Sequence, residues 1–136
     1  MADAALDLVQ RLYRRYSEGA VDDLFAALHP DFVFISCGPG EALDTAGTWE
    51  GAEGLRAYLE RLGARWVIEE HVPLEFVQQG ERIVVRTRVC ARSRATGRCA
   101  TMEKADFWTI VDGRVRSYQE IFDTAAILAA GAAGPG

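Results

Sequence analysis

Asp106, Tyr118 and Glu120 combine proton-bearing chemistry with positions that should be buried. They lie in two alternating segments that meet at Val111-Asp112-Gly113-Arg114. The first, Met102 to Ile110, holds Lys104 and Asp106 among Met102, Trp108 and Ile110; the second, Val115 to Phe122, holds Tyr118 and Glu120. A carboxylate taken out of water is either paired and structural, or it sits in a pocket where its neutral form is favoured and it exchanges protons with a ligand.

The elements that must position these groups follow from pattern. Leu6, Val9, Tyr13 and Tyr16 recur near helical spacing behind Asp3, with Gly19 as the stop. A short second helix carries Leu24, Phe25 and Leu28 after Asp22-Asp23 and ends before Pro30, with His29 as its C-terminal cap. Asp31 to Cys37 reads as a strand, and Gly38 to Gly47 as a loop. A third helix, Ala52 to Leu62, presents Leu55, Tyr58, Leu59 and Leu62 on one face and stops at Gly63. From Trp66 the period changes to strand alternation, with His71 beside Pro73 where the strand should bend, and Thr124 to Ala130 forms a last helical turn. The order is an α+β layout with helices on one face of a sheet.

Hairpin register selects which polar groups face the helices. A turn at Thr96-Gly97 places Thr87 opposite Asp106, Val85 opposite Trp108 and Ile83 opposite Ile110, so Asp106 shares the apolar inner row. Arg86, Arg88 and Arg92 fall on the outer row, solvated or paired with Glu103 across a dimer. The last hairpin leaves two choices. A two-residue turn at Asp112-Gly113 sets Gln119 against Asp106, whereas a three-residue turn with a glycine bulge sets Tyr118 there and turns Tyr118, Glu120 and Phe122 inward.

With 136 residues the chain is expected to form one domain over residues 1–130, followed by a disordered Gly/Ala tail over residues 131–136. A net charge of −5 argues against a nucleic-acid partner held by phosphate neutralisation. No apolar run approaches the length that spans a bilayer, and Cys37, Cys90 and Cys99 lack disulfide or zinc spacing, so a reduced, cytoplasmic setting without membrane association is expected.

The motifs His29-Pro30-Asp31-Phe32, Gly47-Thr48-Trp49-Glu50-Gly51, Asp112-Gly113-Arg114-Val115 and Tyr118-Gln119-Glu120-Ile121-Phe122-Asp123 occur in an order that resembles the SnoaL-like members of the NTF2-like superfamily. That superfamily includes ketosteroid isomerases, polyketide cyclases and limonene-epoxide hydrolases. The resemblance implies a cone-shaped, curved mixed sheet with three helices on its concave face, an apolar pocket open at one end, and homodimers formed through the sheet face. It also matches Asp106 to the acid that donates to the substrate oxygen in ketosteroid isomerases. Ser36 stands where those isomerases place a carboxylate base, and Leu12 where they place a tyrosine. Cys90 stands in place of an epoxide-hydrolase carboxylate.

These readings assign acid-base roles to Asp106, Glu120 and Tyr118, and a pocket wall to Tyr13, Tyr16, Phe34, Trp108, Val85, Thr87 and Phe122. The expected chemistry is proton transfer on a small hydrophobic, cyclic, polyketide-like or steroid-like molecule, of isomerase or cyclase type, with neither metal nor organic cofactor. The structural alternatives are an Asp106 ion pair with Lys104 or an arginine, Tyr118 as a packing aromatic, Tyr13 and Tyr16 as core residues, and a non-catalytic binder or association module.

Overall fold

The computed structural model describes residues 2–132. The elements are α1 (Ala2–Ser17), α2 (Asp22–Ala26), β1 (Leu28–Ser36), β2 (Gly47–Glu50), α3 (Gly51–Arg65), β3 (Trp66–Gln79), β4 (Arg82–Ser93), β5 (Cys99–Val111), β6 (Arg114–Ile121) and α4 (Thr124–Gly131). The six strands form one curved sheet in the order β2-β1-β6-β5-β4-β3, antiparallel except for the parallel β1/β6 pair. This is the expected α+β architecture. Residues 133–136 of the expected tail lie outside the described residues, and Gly131 belongs to α4.

Helix α1 buries Ala5, Leu8, Val9, Leu12 and Tyr13 along one stripe. Gly19 ends it at φ 80°, where its N–H bonds Tyr16 O at 3.0 Å and the Ala20 N–H bonds Arg15 O at 2.8 Å. Those two bonds satisfy carbonyls the last turn would otherwise leave open. Helix α3 runs through the expected stop at Gly63 to Arg65, because Gly63 keeps an ordinary helical φ and helix tolerates a glycine at a modest propensity cost. Asp123 caps α4, its side chain accepting from the Ala126 N–H at 3.0 Å.

Three local expectations are corrected. Strand β1 begins at Leu28, so His29 and Pro30 are strand residues and His29 is not a helix cap; its Nδ1 accepts the Asp31 N–H at 3.0 Å. Backbone pairing outweighs the helical signal there, since Leu28 registers with Val115 and the Val115 N–H bonds Ala27 O at 2.8 Å. The β4/β5 hairpin closes through a loop in which Gly97 (φ 75°) is the last residue, and its N–H bonds Ser93 O at 2.8 Å. The register therefore moves by two residues, pairing Val85 with Asp106, Thr87 with Lys104 and Ile83 with Trp108. An even shift preserves the face, so Asp106 still points inward.

The β5/β6 hairpin departs from both sequence-level choices. Asp112 (φ 53°) and Gly113 (φ 73°) form a two-residue turn, both in the left-handed region, and Val111 registers with Arg114. The register then slips between Thr109 and Ile110, leaving Arg116 as an extra residue on β6. The bulge brings Glu120, instead of Gln119 or Tyr118, opposite Asp106 and sets Tyr118 opposite Trp108. Sequence analysis also missed β2, a four-residue strand that runs into α3.

Inside the curve lie two apolar clusters. One joins α1 and α3 to Phe32, Phe34, Ile83, Val85, Trp108, Ile110 and Val115. The other joins Trp66, Val89, Ala91 and Ala100 to Leu43 and α4. On the outer face Arg86 pairs with Glu75 and Glu103, Arg88 with Glu70, and Arg92 with Glu69, all within the chain. Among the described residues no helix is long and apolar enough to cross a membrane.

Candidate active site

The two apolar clusters leave a cavity of about 130 Å³ between them. Its walls are mostly aliphatic and aromatic; its polar groups are Tyr13, Tyr16, Thr45, Tyr58, His71, Lys104, Tyr118 and Glu120. Such a space, apolar with a few convergent polar atoms, is the usual form of a small-molecule site.

Lys104 organises the polar end. The β5 pleat sends residues 104, 106 and 108 to one face, and the bulge in β6 adds Tyr118 and Glu120 to that face. The Lys104 Nζ lies 3.0 Å from Glu120 Oε2, 3.2 Å from Asp106 Oδ1 and 3.1 Å from the Tyr118 hydroxyl. Burial alone would lower the Lys104 pKa, but Asp106 and Glu120 outweigh it and hold the ammonium well above its usual range. Lys104 is therefore a fixed cation.

Each carboxylate is held by further donors. Glu120, only 5% exposed, accepts at Oε1 from Tyr58 at 2.8 Å and from Ser36 at 3.0 Å. Asp106, at 0% exposure, accepts at Oδ2 from the Tyr13 hydroxyl at 2.5 Å and from Thr87 at 3.1 Å. Its Oδ1 accepts no aligned hydrogen bond from the described residues, so Lys104 serves that oxygen by charge alone. The Tyr13 oxygen in turn accepts the Trp108 indole N–H at 2.9 Å. Burial, reinforced by the two carboxylates, pushes the Tyr13, Tyr58 and Tyr118 phenols well above their usual range, so all three stay protonated hydrogen-bond donors. The cluster thus sets one ammonium among two carboxyl groups and three phenols.

Of the ten residues singled out from sequence, Tyr13, Tyr16, Trp108, Phe122, Tyr118 and Glu120 line the cavity. Asp106, Thr87, Val85 and Phe34 do not: they form the layer behind its wall. Of the two alternatives open for Asp106, the arrangement is the paired one: Lys104 and Tyr13 contact its carboxyl oxygens, and it does not line the cavity. Phe34 stacks beneath Tyr118 (5.0 Å between ring centroids), which stacks on Trp108 (4.2 Å), so these three rings fix the wall.

Sequence reasoning missed Lys104, Tyr58, Ser36 and His71 as site residues. Tyr58 carried a usable signal: it is the polar member of the α3 core face. His71 lies on β3 against Tyr13 and Tyr16, with ring centroids 5.7 and 4.8 Å away. Desolvation, aided by the Lys104 charge, lowers its pKa to about 3, so the imidazole is neutral at ordinary pH. The metal-donor set among the described residues is elsewhere. Glu69, Cys90 and Cys99 place donor atoms within 4.8 Å of one another on the outer face, where Arg92 already holds Glu69.

The comparisons agree with this geometry at the level of fold. An NTF2-like protein of unknown function from Burkholderia pseudomallei is 26% identical, with a TM-score of 0.86 over 96% of this chain and 98% of that one. TerC, crystallised together with polyporic acid, is 22% identical at a TM-score of 0.81, covering 93% of this chain and 97% of its own. A candidate SnoaL-like polyketide cyclase from Jannaschia sp. is 19% identical at a TM-score of 0.77, over 98% and 95% of the two chains. No curated protein matches the chain. The SnoaL-like domain model matches residues 9–118. With that match covering most of its length and an NTF2-like architecture around it, the chain belongs to the SnoaL-like domain family.

Proposed function

We propose that the protein binds a small, mostly apolar cyclic molecule in the inner cavity and moves a proton on it without a cofactor, as an isomerase or cyclase does. The observation that carries the reading is a buried carboxylate, Glu120, lining an apolar cavity beside a fixed ammonium, Lys104. Glu120 takes a proton from carbon next to a ligand carbonyl. The enolate oxygen so formed is held by the Lys104 ammonium and the Tyr118 hydroxyl. The negative charge passes from Glu120, acting as the base, to the ligand oxygen, so the net charge of the site with its ligand does not change during the step. Asp106 acts from behind as a positioning residue for Tyr13 and Lys104.

A cavity of about 130 Å³ is close to the roughly 150 Å³ of an engineered apolar cavity that accommodates benzene, so the ligand it suits is about one ring in size. Relatives described as a polyketide cyclase candidate and as a protein crystallised with polyporic acid are consistent with a ring-shaped organic ligand. A thermal-shift screen of single-ring ketones and phenols, followed by product analysis of the hits, tests the reading. Stabilising hits with altered products support it, and a screen without hits overturns it.

A second reading, a carrier with the same cavity and no chemistry, is favoured by the saturation of Glu120, which already accepts from Ser36, Tyr58 and Lys104. Hits recovered unchanged would select it. The assembly belonging to either reading is a homodimer through the outer sheet face, where Val72 and Val77 are exposed among the ion pairs. Sedimentation velocity reads that directly. The free thiols of Cys37, Cys90 and Cys99 fit a reducing, cytoplasmic setting.

A further inference from the structure

The outer face of the sheet carries a cluster that the proposed proton transfer does not use. Cys90 on β4 registers with Thr101 on β5, and Arg92 with Cys99, so the two cysteines stand diagonally across one strand pair on the same face. Their sequence spacing gives no sign of this, because the β4/β5 hairpin is what brings them together. On the other side of β4, the β3 register shifts between Ile68 and Glu70 and leaves Glu69 as the extra residue of a bulge. Bulges re-aim side chains, and this one turns two consecutive carboxylates to the outer arginines, Glu69 to Arg92 and Glu70 to Arg88. Glu69 thereby joins the cysteines: a carboxylate oxygen and the two Sγ atoms all lie within 4.8 Å of one another. Cysteine is among the residue types most often buried, yet Cys99 is exposed and Cys90 only partly covered.

We propose that Glu69, Cys90 and Cys99 form a surface site for a thiophilic divalent cation of the zinc and cadmium class. Two thiolates are soft ligands that select such ions over magnesium or calcium, and a carboxylate as third ligand leaves the fourth tetrahedral position to water. Two sulfurs on one tetrahedral Zn²⁺, each about 2.3 Å from it, lie about 3.8 Å apart, so modest side-chain adjustment closes the site. A disulfide fits this placement less well. Diagonal positions of a strand pair hold their Cα atoms about 7 to 8 Å apart, more than that bond spans without backbone movement. Binding releases the two thiol protons to solvent. Two thiolates, one carboxylate and a divalent ion then sum to a single negative charge, which the Arg92 guanidinium at Glu69 Oε1 offsets while it orients the carboxylate. The site stands on the face of the sheet opposite the inner cavity, so it is independent of the proposed reaction.

The test titrates the protein with Cd²⁺ in a phosphine reductant and reads the thiolate-to-cadmium charge-transfer absorption in the ultraviolet. The wild-type protein is expected to saturate at a single Cd²⁺ per chain and to lose the band when Zn²⁺ is added in excess. Cys90→Ser and Cys99→Ser are each expected to weaken Cd²⁺ binding by about a hundredfold or more, since losing a direct ligand exceeds the roughly 10- to 100-fold cost of losing an outer partner. Glu69→Gln is expected to weaken it about tenfold and to keep the band at saturation. Cys37→Ser, whose thiol lies against Phe122 and outside the donor set, is expected to titrate as the wild type does. Cys99 is exposed, so its variant keeps the test decisive should a change at Cys90 not fold. A wild-type protein without the band, saturation at half an equivalent, or unchanged Cd²⁺ affinity in Cys99→Ser overturns the assignment.

Discussion

Replacing Lys104 by Met removes the one cation shared by two buried carboxylates while keeping a chain of similar length in the same space. Asp106 and Glu120 would then face each other at registered positions of β5 and β6 with only neutral donors around them. Breaking a buried pair by deleting one partner costs about 3 to 5 kcal/mol. Against a total of about 5 to 15 kcal/mol for a domain, that is a large fraction, about 10 to 20 °C in melting temperature for a chain of this size. The sign with pH follows from which form is penalised. Lys104 has a raised folded pKa, so its contribution is fully present below the usual lysine range and is lost only as pH rises through the folded value. Neutral pH lies well below that range, so the deficit is expected in full at pH 7.5. Urea denaturation of both proteins at pH 7.5 measures this. A deficit below about 1 kcal/mol refutes the electrostatic description of the cluster.

Three other outcomes follow from the same arrangement. Because the His71 pKa is depressed from 6.5 to about 3, the unfolded chain binds the proton first on acidification, and the stability it contributes above pH 6.5 declines through that window. Denaturation of His71→Phe should lack this part of the slope, about 2 kcal/mol between pH 7 and 4.5 after allowance for the partly exposed ring. In α3, Gly54→Ala should destabilise despite better helix propensity, since its Cβ would meet the Trp49 backbone at 2.8 Å, whereas Gly63→Ala, with nothing within 4 Å, should stabilise by about 0.5 to 1 kcal/mol. Melting temperatures of the two variants moving in the same direction would contradict the packing of β2 on α3. Asp106→Asn should weaken turnover less than Glu120→Gln does, because Asp106 lies behind the cavity wall; the reverse order in steady-state rates would return the acid-base role to Asp106.

The fold was legible wherever period and punctuation agreed. The α1 stripe with its Gly19 stop, the α3 face and the alternation of β4 read directly from spacing. So did the inward face of Asp106, because an error of two residues in hairpin register leaves side-chain parity intact. What could not be read was register itself. The last-residue role of Gly97 and the extra residue Arg116 in β6 depend on loop and bulge geometry that several sequences satisfy equally. That missing bulge decides the site, because it is what sets Glu120 against Asp106. Lys104 was visible as an ion-pair partner. Its role as the hub of two carboxylates and a phenol required the pairing of β5 with β6 and its offset. His71 was hidden for a different reason: it is a core-type residue on its own element, and only the packing of β3 against α1 sets its ring beside Tyr13 and Tyr16.

Deuterium uptake from D₂O into the carbon beside the carbonyl of a bound single-ring ketone, followed by NMR, tests the central claim most directly. With Glu120 as the base, the wild-type protein accelerates the exchange, and Glu120→Gln loses about a hundredfold or more of that acceleration while binding and folding persist. Equal exchange by the two proteins, or a wild-type rate no faster than buffer with the ketone bound, would contradict it.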